Sequence, residues 1–177
     1  MQHRAVFLDR DGVLNKHRPD YVKSIHEFEI LPDVQFYLAE LQELGFKLFI
    51  ITNQSAVNRG LLSSRELKAI HDFLIQQLAA FGCSIDGIFY CPHRPDENCD
   101  CRKPKTKMFL DVSRQYNIDL SKSWVIGDSE TDIEAGSRIG CNAIKIGTNN
   151  SLEKAVCVIR YRMKHKMHNQ HTTAYVL

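Results

Sequence analysis

An α/β fold, with a mainly parallel sheet in a three-layer Rossmann-like arrangement, is what the sequence predicts on three observations. Short apolar runs rich in β-branched and aromatic residues alternate with amphipathic stretches of helical period. The runs are almost continuously apolar, as strands buried on both faces are. Glycines, Gly45 and Gly82, close the first two amphipathic stretches, where helices end. Such alternation leads to parallel strands joined by crossover helices.

In chain order, the first strand is read over 5–9 (AVFLD) and the first helix over 34–45, whose apolar positions recur at helical spacing. A strand over 47–52 (KLFIIT) precedes a helix over 63–82, which opens with Ser63 and Glu66 in capping-box spacing. Strands over 85–91, 123–128 and 142–147 follow, with helices over 106–117 and 130–139 between them. No internal repeat interrupts the order.

The chain has 177 residues, 44% hydrophobic and 25% charged, which excludes collagen-like and low-complexity chains and fits one domain. No apolar run approaches the roughly 18 to 20 residues that span a bilayer. The start reaches Asp9 and Asp11 before it builds the apolar stretch of a signal peptide, so a cytoplasmic location is expected. Net charge is +2, unevenly placed: residues 151–177 carry five Lys and Arg against Glu153 alone. Residues 1–150 are expected to form the domain, and 151–177 an extension whose structure the sequence does not assign. Its basic residues and three histidines read as a solvated tail rather than a nucleic-acid contact.

In sheets of this kind ligands gather outside the carboxyl ends of the strands. Asp9 and Asp11 follow the first strand, Thr52, Asn53, Gln54 and Ser55 the second, a Cys/His cluster with Arg102 and Lys103 the third, and Asp128 with Asp132 the fourth. Four polar clusters at four strand ends predict one site. Within CPHRPDENCDC (91–101), Cys91 and His93 are separated by five residues from Cys99 and Cys101. Three thiolates and an imidazole suit a closed, structural Zn²⁺ site. Cys83, Cys141 and Cys157 lack ligand spacing and are expected to be buried small hydrophobes, and Trp124 to open a core strand.

The order DxDGxLN, TNQS, RKP and GDSxxD resembles the haloacid dehalogenase superfamily of aspartate-nucleophile phosphatases over about residues 4–148. With the Zn loop, it resembles the capless heptose bisphosphate phosphatase group, whose near relative is the histidinol phosphatase domain. The resemblance implies a Mg²⁺-dependent phosphatase acting on the 7-phosphate of D-glycero-D-manno-heptose 1,7-bisphosphate through an aspartyl phosphate, in a pathway toward a surface glycan. Histidinol phosphate is the alternative substrate, and a non-catalytic Zn-loop binding module with a basic tail the alternative of another class.

The chemistry assigns roles that agree with the resemblance. Asp9 is the expected nucleophile, and Asp11 the acid that protonates the leaving oxygen and then the base that activates water. Mg²⁺ prefers oxygen ligands, here Asp9, the backbone carbonyl of Asp11, and Asp128. By resemblance Thr52 and Lys103 bind the reacting phosphoryl group. Asp132 is expected either to orient Lys103 or a metal-bound water, or to serve as a helix N-terminal acid. Substrate contacts are expected from Asn53, Gln54, Ser55 and Arg59 after the second strand, from His17 and Asp20, with Arg18 nearby, after the first, and from Arg102. Ser129 departs from the family, where a basic residue is frequent, and is expected to weaken phosphate recognition there. A small phosphorylated sugar is the expected partner of a monomeric enzyme that binds neither membrane nor nucleic acid.

Overall fold

The computed structural model describes residues 2–165 and 174–176. Six parallel strands form one sheet among the described residues: β1 (Ala5–Leu8), β2 (Lys47–Asn53), β3 (Gly87–Cys91), β4 (Trp124–Gly127), β5 (Asn142–Lys145) and β6 (Ala174–Val176). Their order is β3-β2-β1-β4-β5-β6, so the chain reverses direction across the sheet between β1 and β4. That reversal opens a crevice at the strand ends, the expected place for a ligand. Five α-helices complete the fold among the described residues: α1 (Val34–Glu43), α2 (Ser64–Ala79), α3 (Lys107–Tyr116), α4 (Glu130–Arg138) and α5 (Glu153–His165).

Alternation along the strands explains the three layers. On one face Val6, Leu8, Leu48, Ile50 and Ile126 pack under α1, α2 and α5. On the other, Ala5, Phe7, Phe49, Ile51 and Val125 pack under α3 and α4. Phe7 stands edge-on to Phe109 of α3 with ring centroids 5.3 Å apart, and Phe49 tilts against Tyr116 at 4.7 Å. The two cores fix both faces of β1, the strand that delivers Asp9.

Four of the five expected strands are shorter than their expected spans, and β2 runs one residue further, to Asn53. The third strand begins at Gly87 because Asp86 turns its carboxylate back to Leu48 N–H (2.9 Å) and Lys47 Nζ (2.7 Å). Ser63 and Glu66 form the expected capping box of α2.

The solvated-tail expectation is corrected for residues 153–165, which form α5, and for 174–176, which add β6 to the sheet beside β5. Leu152, Ala155, Val156 and Ile159, at helical spacing, are buried in the core shared with α1, and Arg160 reaches Glu40 of α1 at 2.8 Å. The basic residues that suggested a tail occupy the outer side of this helix. Lys166, His168 and His171 of the same expectation lie outside the described residues. Cys83 and Cys141 are buried, as is Trp124, whereas Cys157 is exposed on α5, a second correction. No helix among the described residues is long and apolar enough to cross a membrane.

Truncating the fully buried Ile159 to Ala should cost about 2 to 5 kcal/mol of unfolding free energy. Chemical denaturation checks it, and a loss under about 0.5 kcal/mol, ordinary for a surface position, would return α5 to the status of a tail.

Candidate active site

β1 ends at Leu8, and Asp9 N–H donates to Ile126 O of β4 at 2.9 Å, holding Asp9 at the crevice between the two central strands. Its Oδ1 lies 2.9 Å from Lys103 Nζ and accepts from Arg10 N–H at 2.8 Å. Lys103 is buried, and its ammonium also meets Asp132 Oδ1 at 2.6 Å and donates to Ile51 O at 2.6 Å. Asn53, ending β2, brackets the Lys103 backbone, accepting from its N–H (3.1 Å) and donating to its carbonyl (3.3 Å). The lysine is therefore fixed at both ends of its side chain.

Asp132 engages different partners with its two oxygens. Oδ1 pairs with Lys103, and Oδ2 accepts from Ser129 N–H (3.2 Å) and Ser129 Oγ (2.6 Å), capping α4. Ser129 thus serves the helix terminus. Two glycines make the close approach possible: a Cβ on Gly127 would lie 2.3 Å from Asp132 Oδ2, and one on Gly12, where φ is +81°, 2.2 Å from Asp128 Oδ2.

Carboxylate oxygens of Asp9, Asp128 and Asp132 all lie within 4.8 Å of one another. Burial pushes the Asp9 carboxyl up to about 7 against the pull of Lys103, with Asp132 and Asp11 adding to the rise. Asp128 is raised by burial too, partly offset by a hydrogen bond from Thr148. Despite its burial, Lys103 is held charged by the two carboxylates it faces. Three carboxyl groups face one ammonium, so ionising all of them leaves two negative charges in excess, and oxygen donors around such an excess fit a divalent hard cation.

Asp11 points into a separate set of donors. Arg10 Nη2 meets both its oxygens at 2.9 and 3.0 Å, Asn15 Nδ2 donates to Oδ1 at 2.9 Å, and Gln54 Nε2 donates to Oδ2 at 2.7 Å. Burial disfavours its charge, yet Arg10 and the hydrogen bonds from Asn15 and Gln54 hold its carboxyl below the usual range. Gln54 Nε2 also donates to Thr52 Oγ1 at 2.9 Å, which leaves the threonine hydroxyl hydrogen free to point into the crevice. Arg10 is fully buried and its Nη1 lies 3.3 Å from Nε2 of His71 on α2. Burial and the neighbouring guanidinium push the His71 ring down to about 3.

Beyond β3, Cys91, His93, Cys99 and Cys101 bring their ligand atoms together. Cys91 Sγ lies 3.5 Å from both His93 Nδ1 and Cys99 Sγ, His93 Nδ1 lies 3.2 Å from Cys101 Sγ, and the Cys99 and Cys101 sulfurs are 3.6 Å apart. Ligands on a tetrahedral zinc with bonds of about 2.3 Å stand about 3.8 Å apart, so the donor set and spacing fit Zn²⁺. The loop is tied to the site: Arg102 Nη1 donates to His93 O at 3.1 Å, and Asn58 Nδ2 to Glu97 Oε2 at 2.9 Å.

The remaining expected residues divide. Ser55 is buried beside Gln54, and His17 N–H donates to Asn149 Oδ1 at 2.5 Å, near Asp128. Arg59 is exposed, its guanidinium 6.0 Å from the Tyr21 ring. Asp20 stands apart, engaged by Lys23 at 2.6 Å and Arg18 at 3.5 Å. Sequence reasoning passed over Arg10, Asn15, His71, Thr148 and Asn149. His71 carried a signal, since it shares the apolar stripe of Leu67, Leu74 and Leu78, where an imidazole needs a partner.

Comparison with known proteins agrees with this arrangement. The family model described as HAD-hydrolase-like matches residues 100–168. A D-glycero-beta-D-manno-heptose-1,7-bisphosphate 7-phosphatase of Bordetella bronchiseptica is 40% identical over 147 residues, spanning 83% of this chain and 82% of that protein. A protein of the same name from Pseudomonas aeruginosa is 37% identical over 152 residues, spanning 86% and 85%. Among solved structures, the D,D-heptose 1,7-bisphosphate phosphatase of B. bronchiseptica, complexed with magnesium and phosphate, superposes with a TM-score of 0.81 at 34% identity, covering 98% of this chain and 92% of that one.

The depressed titration of His71 sets an acid limb of stability. The fold favours the neutral ring, so its contribution is complete above pH 6.5 and is lost as pH falls toward 3. Over that window this group alone should remove about 1.4 kcal/mol per pH unit. Urea unfolding between pH 6.5 and 4 should therefore show a shallower pH slope for His71→Gln than for wild type, and identical slopes would refute the buried neutral imidazole.

Proposed function

The chain belongs to the heptose-bisphosphate phosphatase branch of the haloacid dehalogenase-like hydrolases, and on that premise we propose that it removes the 7-phosphate of D-glycero-D-manno-heptose 1,7-bisphosphate. The observation that carries this reading is the buried Asp9–Lys103–Asp132 array, with Asp128 beside it and Asp11 two residues from Asp9, all at the carboxyl ends of parallel strands. A bound Mg²⁺, held by Asp9, the Asp11 carbonyl and Asp128, would offset the charge of the phosphate against that of the nucleophile.

Every other step belongs to the chain's own side chains. A carboxylate oxygen of Asp9 attacks phosphorus while the bond to the sugar oxygen breaks, and Asp11, protonated once the negative charge of the bound substrate opposes the hold of Arg10 on its ionised form, delivers the proton that the departing oxygen needs. Lys103 Nζ and the free hydroxyl hydrogen of Thr52 meet the equatorial oxygens, where charge concentrates. Asp11, now ionised, takes a proton from water as that water attacks the phosphorus of the aspartyl phosphate. Phosphate leaves, and the Asp9 carboxylate and protonated Asp11 are restored.

The far end of the substrate is read by loops. Arg102, whose Nη1 donates to His93 O in the cysteine and histidine loop, is the guanidinium to which we assign a second phosphate, with His17, Asn53, Gln54, Ser55 and Arg59 as the further candidates for substrate contact. A second anion favours the sugar bisphosphate over histidinol phosphate, whose other end is a cation. Cys91, His93, Cys99 and Cys101 would hold Zn²⁺, which would order the loop that carries Arg102. An intact nucleophile, acid and ammonium argue against a non-catalytic binding module.

Phosphate release with Mg²⁺ across sugar bisphosphates, sugar monophosphates and histidinol phosphate tests the reading. The heptose bisphosphate should be preferred, and Asp9→Asn should lose on the order of a thousandfold or more in turnover. Activity retained by Asp9→Asn would overturn the mechanism. Arg102→Ala should lower kcat/KM for the bisphosphate by on the order of ten- to a hundredfold and leave histidinol phosphate little affected. Equal losses on both would assign Arg102 to the reacting phosphoryl group.

Elemental analysis should find about one zinc per chain after purification without chelator, and Cys99→Ser should lower both Tm and zinc content. Zinc-free protein of unchanged Tm would remove the metal from the account.

A further inference from the structure

We propose that Arg10, held from α2 by His71, is the positioning residue of the acid–base carboxylate Asp11. The inference rests on the phosphatase reading above and adds to it two side chains, from distant parts of the sequence, that touch no substrate.

Arg10 follows the nucleophile, yet its side chain is fully buried. One amino group, Nη2, spans both oxygens of Asp11, at 2.9 and 3.0 Å, and so fixes the plane of the carboxylate. The other, Nη1, meets His71 Nε2 at 3.3 Å. A guanidinium nitrogen has only hydrogens to offer, so Nε2 accepts and the imidazole is neutral with its proton on Nδ1. Phe28 packs under the guanidinium at 5.6 Å, and Tyr90 stands edge-on to the imidazole at 5.8 Å. Both groups are walled in.

The arrangement is costly for packing alone. Arg10 Nε is buried with no hydrogen-bond partner. A buried guanidinium with an unpaired donor is poorer for stability than an apolar side chain of similar volume. Its attachments run to Asp11 on one side and to a helix on the other, which is the connection a carboxylate needs to keep one orientation. Asn15 and Gln54 complete the hold, and Gln54 reaches onward to Thr52. The aim of Asp11 toward the leaving oxygen is thereby tied to the register of α2 against the site.

A residue that aims the acid has a signature that a packing residue lacks. Protonation matters most where the leaving oxygen is strongly basic, as in a sugar phosphate, and least for an aryl phosphate such as p-nitrophenyl phosphate. kcat/KM for both substrates, with circular dichroism and Tm for folding, should be measured for wild type, Arg10→Met, Arg10→Lys, His71→Leu and His71→Gln. Arg10→Met and His71→Leu should lose at least about tenfold more on the heptose bisphosphate than on p-nitrophenyl phosphate, within the range general acid catalysis supplies. His71→Gln, which retains an acceptor, should recover most of the difference, and Arg10→Lys part of it. If Arg10→Met fails to fold, the His71 pair decides. Equal losses on the two substrates, or no loss from His71→Leu, would overturn the inference while leaving the phosphatase reading standing. A wild-type protein inert toward both substrates would overturn both.

Discussion

One buried ammonium makes the site possible. Lys103 Nζ stands between Asp9 and Asp132 at 2.9 and 2.6 Å and is tied to Ile51 O besides. Without it, the carboxylates of Asp9, Asp128 and Asp132 would face one another at close range in a region that excludes much of the solvent, and ionising them together would be prohibitive. With it, Asp9 is kept in place and the residual negative charge matches a divalent cation.

The rest of the architecture serves that arrangement. β1 is fixed by packing on both faces and carries Asp9 to the crevice where the strand order reverses. Gly127 lets the first turn of α4 fold down over β4 so that Asp132 reaches the lysine, and Ser129 occupies the other oxygen of that carboxylate. Asn53 at the end of β2 grips the Lys103 backbone from the neighbouring strand. The cysteine and histidine loop lies between β3 and Lys103 in the chain, so order in that loop carries directly into the position of the ammonium. Asp9 and Asp11 have different surroundings, one set among carboxylates and an ammonium, the other held by a guanidinium and two amides.

How far the sequence could be read depended on how local each signal was. Asp9, Asp11, Thr52, Lys103 and Asp128 each follow an apolar run, and parallel topology gathers strand ends, so their convergence was legible without coordinates. The cysteine and histidine cluster was legible because its residues are spaced in pairs. Arg10 and His71 were not, since their contact joins positions 61 apart and depends on the rotation of α2 about its axis. Thr148 and Asn149 were missed for a related reason: the loop after β5 held no charged residue to mark it. The final helix was hidden by composition. Its basic residues drew the reading toward a tail, although Leu152, Ala155, Val156 and Ile159 already had helical period.

The account turns on Asp9 being the atom that receives the phosphoryl group, and the direct measurement is the mass of the chain caught with that group attached. Asp11→Asn, which lacks the base that activates water, should be loaded with p-nitrophenyl phosphate in Mg²⁺, quenched in acid, digested and sequenced by mass spectrometry. One phosphoryl group on Asp9 is the result predicted by the Asp9–Lys103–Asp132 array. A phosphoryl group on any other residue, or continued phosphate release with an adduct on none, would contradict it.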